Sequence, residues 1–447
     1  MQRSSAMPSP PVDLLLTGRY LLPSSTQDGL MDHAGIAVAG DTIAAIGPAR
    51  DLLRLYPSAR HIDEPHGLIM PGLINTHTHA AMSCFRGLAD DLPLMTWLED
   101  HIFPAEAQLT AEMVYQSTLL SIAEMIKSGT TSFCDMYLFA NHVARAAETA
   151  GIRGWIGEVL YDFPSPSYGE LENGFTLVRE MFDRYRDHPL ITITCDPHSV
   201  YTCSPDLLRR AGSMAEEQNS LCHIHLSENQ AEVDTCRQRY GCSPVAHLEQ
   251  LGLLNGRTLA AHCVMLHDSE IELMAERGVK VAHCVESNMK LASGLAPAVT
   301  MLRQGIPLSL GTDGSASNND VDMFAEMNSV AKVHKVACMD PTAMSAETTL
   351  YAATMGGAAA LGAPERIGSL AVGKKADMIV LNMRQPHLTP LYNVPSHMVY
   401  AARGADVIHS FINGRQVMHN RQLLTLDEND ILARMSEMGR NIRGFRR

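Results

Sequence analysis

Between Leu73 and Leu310 the chain repeats one pattern about eight times: a short β-rich apolar run, then a longer stretch of helical character. The runs are Leu73 to Thr76, Thr130 to Asp135, Ile152 to Val159, Ile191 to Cys195, Leu221 to Leu226, Thr258 to Ala261, Val279 to Ala282 and Pro307 to Leu310. Strands separated by a helix cannot pair as hairpins. The crossover returns the chain in the same direction, so the pattern calls for a parallel sheet covered on both faces. Eight such units close most naturally as a (β/α)8 TIM barrel, an α/β fold in which functional side chains gather at the C-terminal ends of the strands.

The flanks have a different texture. Asp13 to Leu22, Gly35 to Ile46 interrupted by Gly40-Asp41, and Gly67 to Met70 read as short antiparallel strands. Ala376 to Leu381, Val407 to Phe411 and Arg415 to Met418, with Asn413-Gly414 as a hairpin turn, repeat that texture. Residues 1–66 and 370–447 are therefore expected to build one small β-sandwich domain together, beside a barrel domain of residues 67–369. The gap from His79 to Thr130 exceeds one helix, so extra loop or helix is expected over the first barrel strand, where barrel enzymes keep lids and substrate contacts.

Composition narrows the function. Hydrophobic residues make up 46% and charged residues 19%, which is the balance of a folded globular protein. A net charge of −14 argues against a surface built to grip phosphate backbones, so a small molecule is expected as partner and nucleic acid is not. No apolar stretch has the length of a membrane span, and Met1 to Pro11 lacks a signal-type apolar run, so a cytoplasmic protein with no membrane partner is expected. The ten cysteines are scattered singly without a CxxC pair and read as reduced thiols. A homo-oligomer is compatible with all of this.

The histidines carry the chemistry. In Pro71-Gly72-Leu73-Ile74-Asn75-Thr76-His77-Thr78-His79, two imidazoles two apart at a strand end project to one face and can share one ion. The bland alternative is a pair of polar strand-end residues. His223-Ile224-His225-Leu226-Ser227-Glu228 offers a third imidazole, His225, at another strand end, with the Glu228 carboxylate where the chain leaves the strand. His223 lies one pleat deeper and reads as a satisfied core or supporting histidine. Leu310-Gly311-Thr312-Asp313-Gly314 brings a carboxylate among small residues to the end of the eighth strand; an Asp-Gly turn is the alternative, but barrel sites gather at this end. His262, ending the sixth strand, could be a further nitrogen ligand or an acid beside the centre, and His198, after the fourth strand, could face a substrate. Thirteen other histidines, His247, His334 and His409 among them, lack such placement and are expected at the surface. The fourth strand contains no lysine to bridge two metals, so one divalent ion per chain is expected. Imidazole-rich, carboxylate-completed ligation suits Zn²⁺, and the same ligand types are compatible with Fe²⁺ or Mn²⁺.

Through PGLINTHTH, HIHLSE, AAHC and LGTDGSASNN, spread over nearly the whole barrel, the chain resembles the amidohydrolase superfamily. HTHAAMSCFRGLADDLPLMTWLED and ESNMKLASG look like its branch of nucleoside and purine deaminases and chlorotriazine hydrolases. The resemblance implies His77, His79, His225 and Asp313 as metal ligands, and Glu228, His262 and Asp313 as the catalytic groups around the bound water. It also implies substrate contacts from Glu106, which would grip ribose hydroxyls, and from His198, Glu228, Asp313 and Trp97, the last lining the base pocket. The implied reaction is hydrolytic deamination of an adenosine-type nucleoside to the inosine analogue and ammonia. Members of this branch that accept homocysteine use arginines after the third strand, whereas here Gly157-Glu158-Val159-Leu160 and Tyr168-Gly169-Glu170 are acidic. Uncharged 5′-methylthioadenosine or adenosine is therefore expected ahead of S-adenosylhomocysteine. Val285 stands where a proline is common, which should affect only local loop shape. Competing readings are a guanine or modified-purine deaminase, a triazine-type hydrolase, and a non-catalytic barrel scaffold, against which the complete constellation speaks.

Overall fold

The computed structural model describes residues 11–92 and 96–444. Residues 1–10, on which most of the reading of the chain start rests, lie outside the described residues, as do 93–95, within the segment over the first barrel strand, and 445–447.

The first four strands are β1 (Leu14–Leu21), β2 (Met31–Ala39), β3 (Thr42–Pro48) and β4 (Arg60–Pro71). The parallel strands follow: β5 (Leu73–Thr78), β6 (Thr130–Tyr137), β7 (Arg153–Leu160), β8 (Ile191–Ile193), β9 (Asp196–Pro197), β10 (Cys222–Leu226), β11 (Thr258–His262), β12 (Lys280–His283) and β13 (Leu308–Leu310). The chain returns with β14 (Met378–Asn382), β15 (Val407–Ile412), β16 (Arg415–His419) and β17 (Gln422–Leu423).

The parallel strands form two sheets in chain order, β5-β6-β7-β8 and β10-β11-β12-β13, with β9 beside β7. Every residue of β5, β6, β7, β10 and β11 is buried, as expected of strands covered on both faces. Hydrogen bonds bridge both seams between the sheets. On one side the Cys195 amide donates to the Leu221 carbonyl and the His223 amide to that of Cys195, both at 3.0 Å; on the other the Asp313 amide donates to the His77 carbonyl at 2.9 Å. This is the connectivity a (β/α)8 barrel requires. The fourth expected strand is split, because Cys195 leaves β7 to pair with Cys222 before Asp196 and Pro197 pair with β7 again.

Helices between the strands begin and end on local signals. Ser204 and Ser243 accept hydrogen bonds from Leu207 and Ala246 amides, each followed by proline in the first turn, and Gly151, Gly241 and Gly278 close helices in the left-handed conformation. No helix among the described residues is long and apolar enough to cross a membrane.

The chain ends meet in one continuous eight-stranded sheet, ordered β17-β16-β15-β14-β4-β1-β2-β3. The two halves join where β14 runs antiparallel to β4, pairing Met378 with Pro71 through Asn382 with Gly67. The expected Asn413-Gly414 turn is present, with φ of 52° and 77°, the pair of positive values that a two-residue hairpin of matching twist demands. One face of this sheet carries its own apolar cluster, including Leu16, Ile36, Ile69, Val380 and Phe411.

A buried ion pair ties the parallel strands to this sheet. Arg153, the first residue of β7, donates through Nε to Asp377 Oδ2 at 2.8 Å and through Nη2 to Oδ1 at 3.1 Å, and the Asn413 amide donates to Oδ1 at 2.6 Å. The side chains are 2% and 3% exposed, so neither charge can fall back on water. Asp377→Ala leaves the guanidinium buried and uncompensated, and a loss of about 3–5 kcal/mol is expected in denaturant unfolding.

Candidate metal centre and active site

His77 lies within β5 and His79 follows its end; both face the C-terminal mouth of the parallel strands, as do His225 on β10, His262 ending β11, and Asp313 after β13. Ligand atoms of His77, His79 and His225 lie within 4.8 Å of one another, and so do those of His77, His262 and Asp313. His79 Nε2 is 3.2 Å from Asp313 Oδ1, His77 Nε2 is 3.5 Å from the same oxygen, and His225 Nε2 is 3.2 Å from His79 Nε2.

The outer faces of these rings are fixed. His79 Nδ1 donates to the Met136 carbonyl at 2.5 Å and His225 Nδ1 to that of His198 at 2.9 Å. A proton held on Nδ1 leaves Nε2 with its lone pair pointing inward. His77 Nδ1 faces His223 Nε2 at 2.9 Å, and its own Nε2 is buried without a hydrogen-bond partner. Burial lowers the His77 imidazole to about 4, so it is neutral. Two lone pairs facing each other at 3.2 Å, beside an unpartnered third nitrogen and a carboxylate oxygen, repel one another unless a cation sits between them. The donor set therefore fits a divalent ion of zinc type.

Asp313 is braced for that role. Its Oδ2 accepts from Ser287 Oγ at 2.6 Å and Ser317 Oγ at 2.9 Å, and Oδ1 accepts from the Gly314 amide at 2.8 Å. Burial would raise its carboxyl, yet the adjoining His77 and His79 rings hold it well below the usual carboxylate range. Small residues let this loop approach β5, since a Cβ on Gly311 would lie 2.8 Å from the Cβ and amide of His77. Ser227, His262, Cys263 and Asp313 all have positive φ, at 51°, 71°, 52° and 64°. Such conformations cost of order 1–3 kcal/mol each for non-glycine residues and cluster where function over-determines the backbone.

A cavity opens beside these groups. His79, His198, His225, Glu228, His262 and Asp313 line its floor; Trp97, Phe103, Glu106, Tyr137, Tyr161 and Phe163 line its walls. Glu228 is 7% exposed, and burial raises its carboxyl above the usual range, with His262 pulling it part of the way back. His262 Nδ1 donates to Asn288 Oδ1 at 2.9 Å, which turns its Nε2 toward the cavity. Tyr137 donates to Glu106 Oε1 at 2.8 Å, and burial pushes the Glu106 carboxyl up to about 7. His198 Nδ1 bonds Thr202 Oγ1 at 2.8 Å, and Trp97 donates to the Ala89 carbonyl at 3.0 Å, so that ring is fixed against the wall. Thus every expected metal ligand, catalytic group and substrate contact lines this one cavity except His77, which is completely buried beside it.

Other sequence expectations change. Glu158 faces no ligand: it is buried and accepts from the Phe139 and Ala140 amides, while Glu170 sits exposed before a helix. Neither lines the cavity. His247, His334 and His409 are buried, not at the surface: His247 stacks on Tyr240, His334 Nε2 meets His283 Nε2 at 2.9 Å, and His409 bonds Glu64 at 2.7 Å. His283, ending β12, escaped the sequence reading although it shares the strand-end placement of the others. Ser287, Asn288 and Ser317 support the site from within ESNMKLASG and LGTDGSASNN, two segments already singled out.

Comparison with known proteins agrees with this geometry. Residues 68–417 match the amidohydrolase family. A 5-methylthioadenosine/S-adenosylhomocysteine deaminase of Syntrophobacter fumaroxidans is 52% identical over 98% of this chain and 100% of its own length. A 5'-deoxyadenosine deaminase of Methanosarcina barkeri is 43% identical over 94% of this chain and 96% of its own. The crystal structure of an adenosine deaminase from Xanthomonas campestris with bound zinc superposes with a TM-score of 0.95 at 40% identity, covering 98% of this chain and 100% of that one. An atrazine chlorohydrolase of Arthrobacter aurescens shares the fold, with a TM-score of 0.88 at 23% identity over 95% of this chain and 100% of its own. A match running from β4 to β16, with the histidines and aspartate of its strand ends converging on one centre, makes the chain a member of the amidohydrolase family.

Proposed function

We propose that the chain is a one-ion aminohydrolase that replaces the 6-amino group of an adenosine-type nucleoside by oxygen, releasing the inosine analogue and ammonia. The observation that carries this reading is one cavity that sets Glu106, a bidentate acceptor on its wall, against His79, His225, Glu228 and Asp313 on its floor. Relatives named for deamination of 5-methylthioadenosine and 5'-deoxyadenosine support it. His77, His79, His225 and Asp313 would hold the ion, with zinc first among the candidates. Bound there, a divalent ion lowers the pKa of water toward neutrality and supplies a nucleophile at working pH.

The remaining work falls to side chains. Glu228, whose carboxyl burial raises above the usual range, takes a proton from the attacking water and delivers one to the ring nitrogen, which makes the adjacent amino-bearing carbon electrophilic. His262, its Nδ1 committed to Asn288, presents Nε2 to the attacking oxygen, and Asp313 accepts a hydrogen bond from it. The second proton of the attacking water passes to the 6-amino nitrogen as the C–N bond breaks, so the amine departs as ammonia and the oxygen is left as the carbonyl of the product. Trp97 and His198 bound the base, and Glu106 takes the ribose hydroxyls.

No lysine or arginine lines the cavity among the described residues, so a ligand carboxylate finds no cation there. We therefore rank 5′-methylthioadenosine first, then adenosine, with S-adenosylhomocysteine behind. Ammonia release should be fastest from methylthioadenosine, with equimolar inosine analogue; faster release from guanine, or chloride release from a chlorotriazine at a higher rate, would favour the readings without a ribose.

Glu106 supplies a second test. With its carboxyl near 7, the ionised form that accepts two hydroxyls grows as pH rises from 6 to 8, so KM for the nucleoside should fall over that interval. Glu106→Gln is expected to flatten this dependence and to reduce kcat/KM by about 10- to 100-fold, the worth of hydrogen bonds to a charged group.

We also read the two parallel sheets as one closed (β/α)8 barrel, and residues 1–66 with 370–447 as a composite β-sandwich domain around barrel residues 67–369. Pairing of β4 with β14 and the separate apolar cluster support that division, and β4 carries the first segment on to Pro71. The ten unpaired cysteines fit a reducing, cytoplasmic setting.

A further inference from the structure

Three buried glutamates repeat one device at the mouths of the parallel strands. Glu158 accepts from the Phe139 and Ala140 amides at 3.2 and 2.7 Å, just after β6. Glu326 accepts from the Val285 and Glu286 amides at 2.6 and 3.4 Å, just after β12. Glu232 accepts from the Ser227 amide through Oε1 at 2.9 Å and from the Glu228 amide through Oε2 at 2.8 Å, just after β10. Their exposures are 0%, 0% and 3%, and no lysine, arginine or histidine forms an ion pair with any of them among the described residues.

A buried carboxylate without a cation is an expensive way to satisfy two amides, which a serine or asparagine cap would satisfy at less cost. What a carboxylate adds at Glu158 and Glu232, where each oxygen takes one amide, is a rigid two-pronged hold on two successive amides; Glu326 takes both amides on Oε1. At Glu232 the held residues are Ser227, with φ of 51°, and Glu228 itself. The hold therefore sets the position of the Glu228 side chain over the floor of the cavity.

We infer that Glu232 is a positioning residue for proton transfer by Glu228: its two carboxylate oxygens clamp the Ser227 and Glu228 amides so that the Glu228 carboxyl stands where the substrate ring and the attacking water meet. This rests on the reading of Glu228 as the proton carrier. Glu232→Gln keeps the shape but turns an NH₂ toward one of the two amides, so the clamp opens on one side. Displacement of a reacting group by about 1 Å costs on the order of 10²-fold in rate. Loss confined to the transition state leaves KM alone.

Steady-state kinetics and metal analysis of zinc-loaded Glu232→Gln test this. A fall in kcat of about 10- to 100-fold is expected, with KM and zinc content unchanged. Glu158→Gln makes the same chemical change on a loop without a proton-transfer group and should keep wild-type kcat. If the glutamine variant does not accumulate, Glu232→Asp, with its arm shortened by one methylene, carries the same expectation. Wild-type kcat in the Glu232 variants, or an equal loss in Glu158→Gln, overturns the inference. Glu228→Gln measured alongside separates the two claims: if it alone is inactive, Glu228 carries the proton and the clamp is dispensable; if it too is active, the reading of Glu228 fails first.

Discussion

Glu228→Gln should keep its metal and lose about 10²- to 10⁴-fold in turnover, the range that a positioned acid-base group supplies. Glutamine matches the shape of the side chain but cannot pass a proton between water and ring nitrogen. Glu228 lies outside the sets of His and Asp atoms that converge within 4.8 Å, so its loss should leave metal content untouched. Retained zinc with lost turnover isolates proton transfer from metal binding. The effect should fall on kcat more than on KM, because the proton moves only as the transition state forms.

Asp313→Asn attacks the other half of the machinery and should release the metal. The carboxylate reaches the imidazoles of His77 and His79 through Oδ1, at 3.5 and 3.2 Å, while Ser287 and Ser317 hold Oδ2. Asparagine tolerates the positive φ of 64° at this position, so the loop should stay folded where alanine would strain it. A neutral amide offers the ion a weaker oxygen and leaves the charge of the cation uncompensated. Zinc affinity, measured by competition with a chelator, should fall by more than the roughly 10- to 100-fold that loss of an outer partner costs, and activity should fall with it.

Much of the proposed centre could be read from spacing, because its residues sit at strand ends, where the alternation of side chains and the direction of the parallel strands fix which face they meet. His77, His79, His225, His262 and Asp313 all follow from that rule. The supports could not be read this way. Glu232, four residues after Glu228 at the start of a helix, has the pattern of a solvated helix face, and only packing buries it. Glu158 looked like a wall against a carboxylate ligand, but its oxygens are consumed by the amides of the preceding loop. His223 was recognised as a core or supporting histidine, yet its contact with His77 joins strands 146 residues apart in sequence. At the ends of the chain, strand texture was visible, whereas the union of both halves into one sheet depends on β14 choosing the edge of β4, a pairing with no local signature. The split of the fourth strand likewise arises from competition between β7 and β10 for Cys195 and Asp196.

The most direct test is a titration of zinc into metal-free protein while ammonia release from 5′-methylthioadenosine is followed. Activity should be absent without metal, rise in proportion to added zinc, and stop rising at one ion per chain. A plateau at two ions per chain, or full turnover in protein stripped of metal, would contradict the one-ion mechanism.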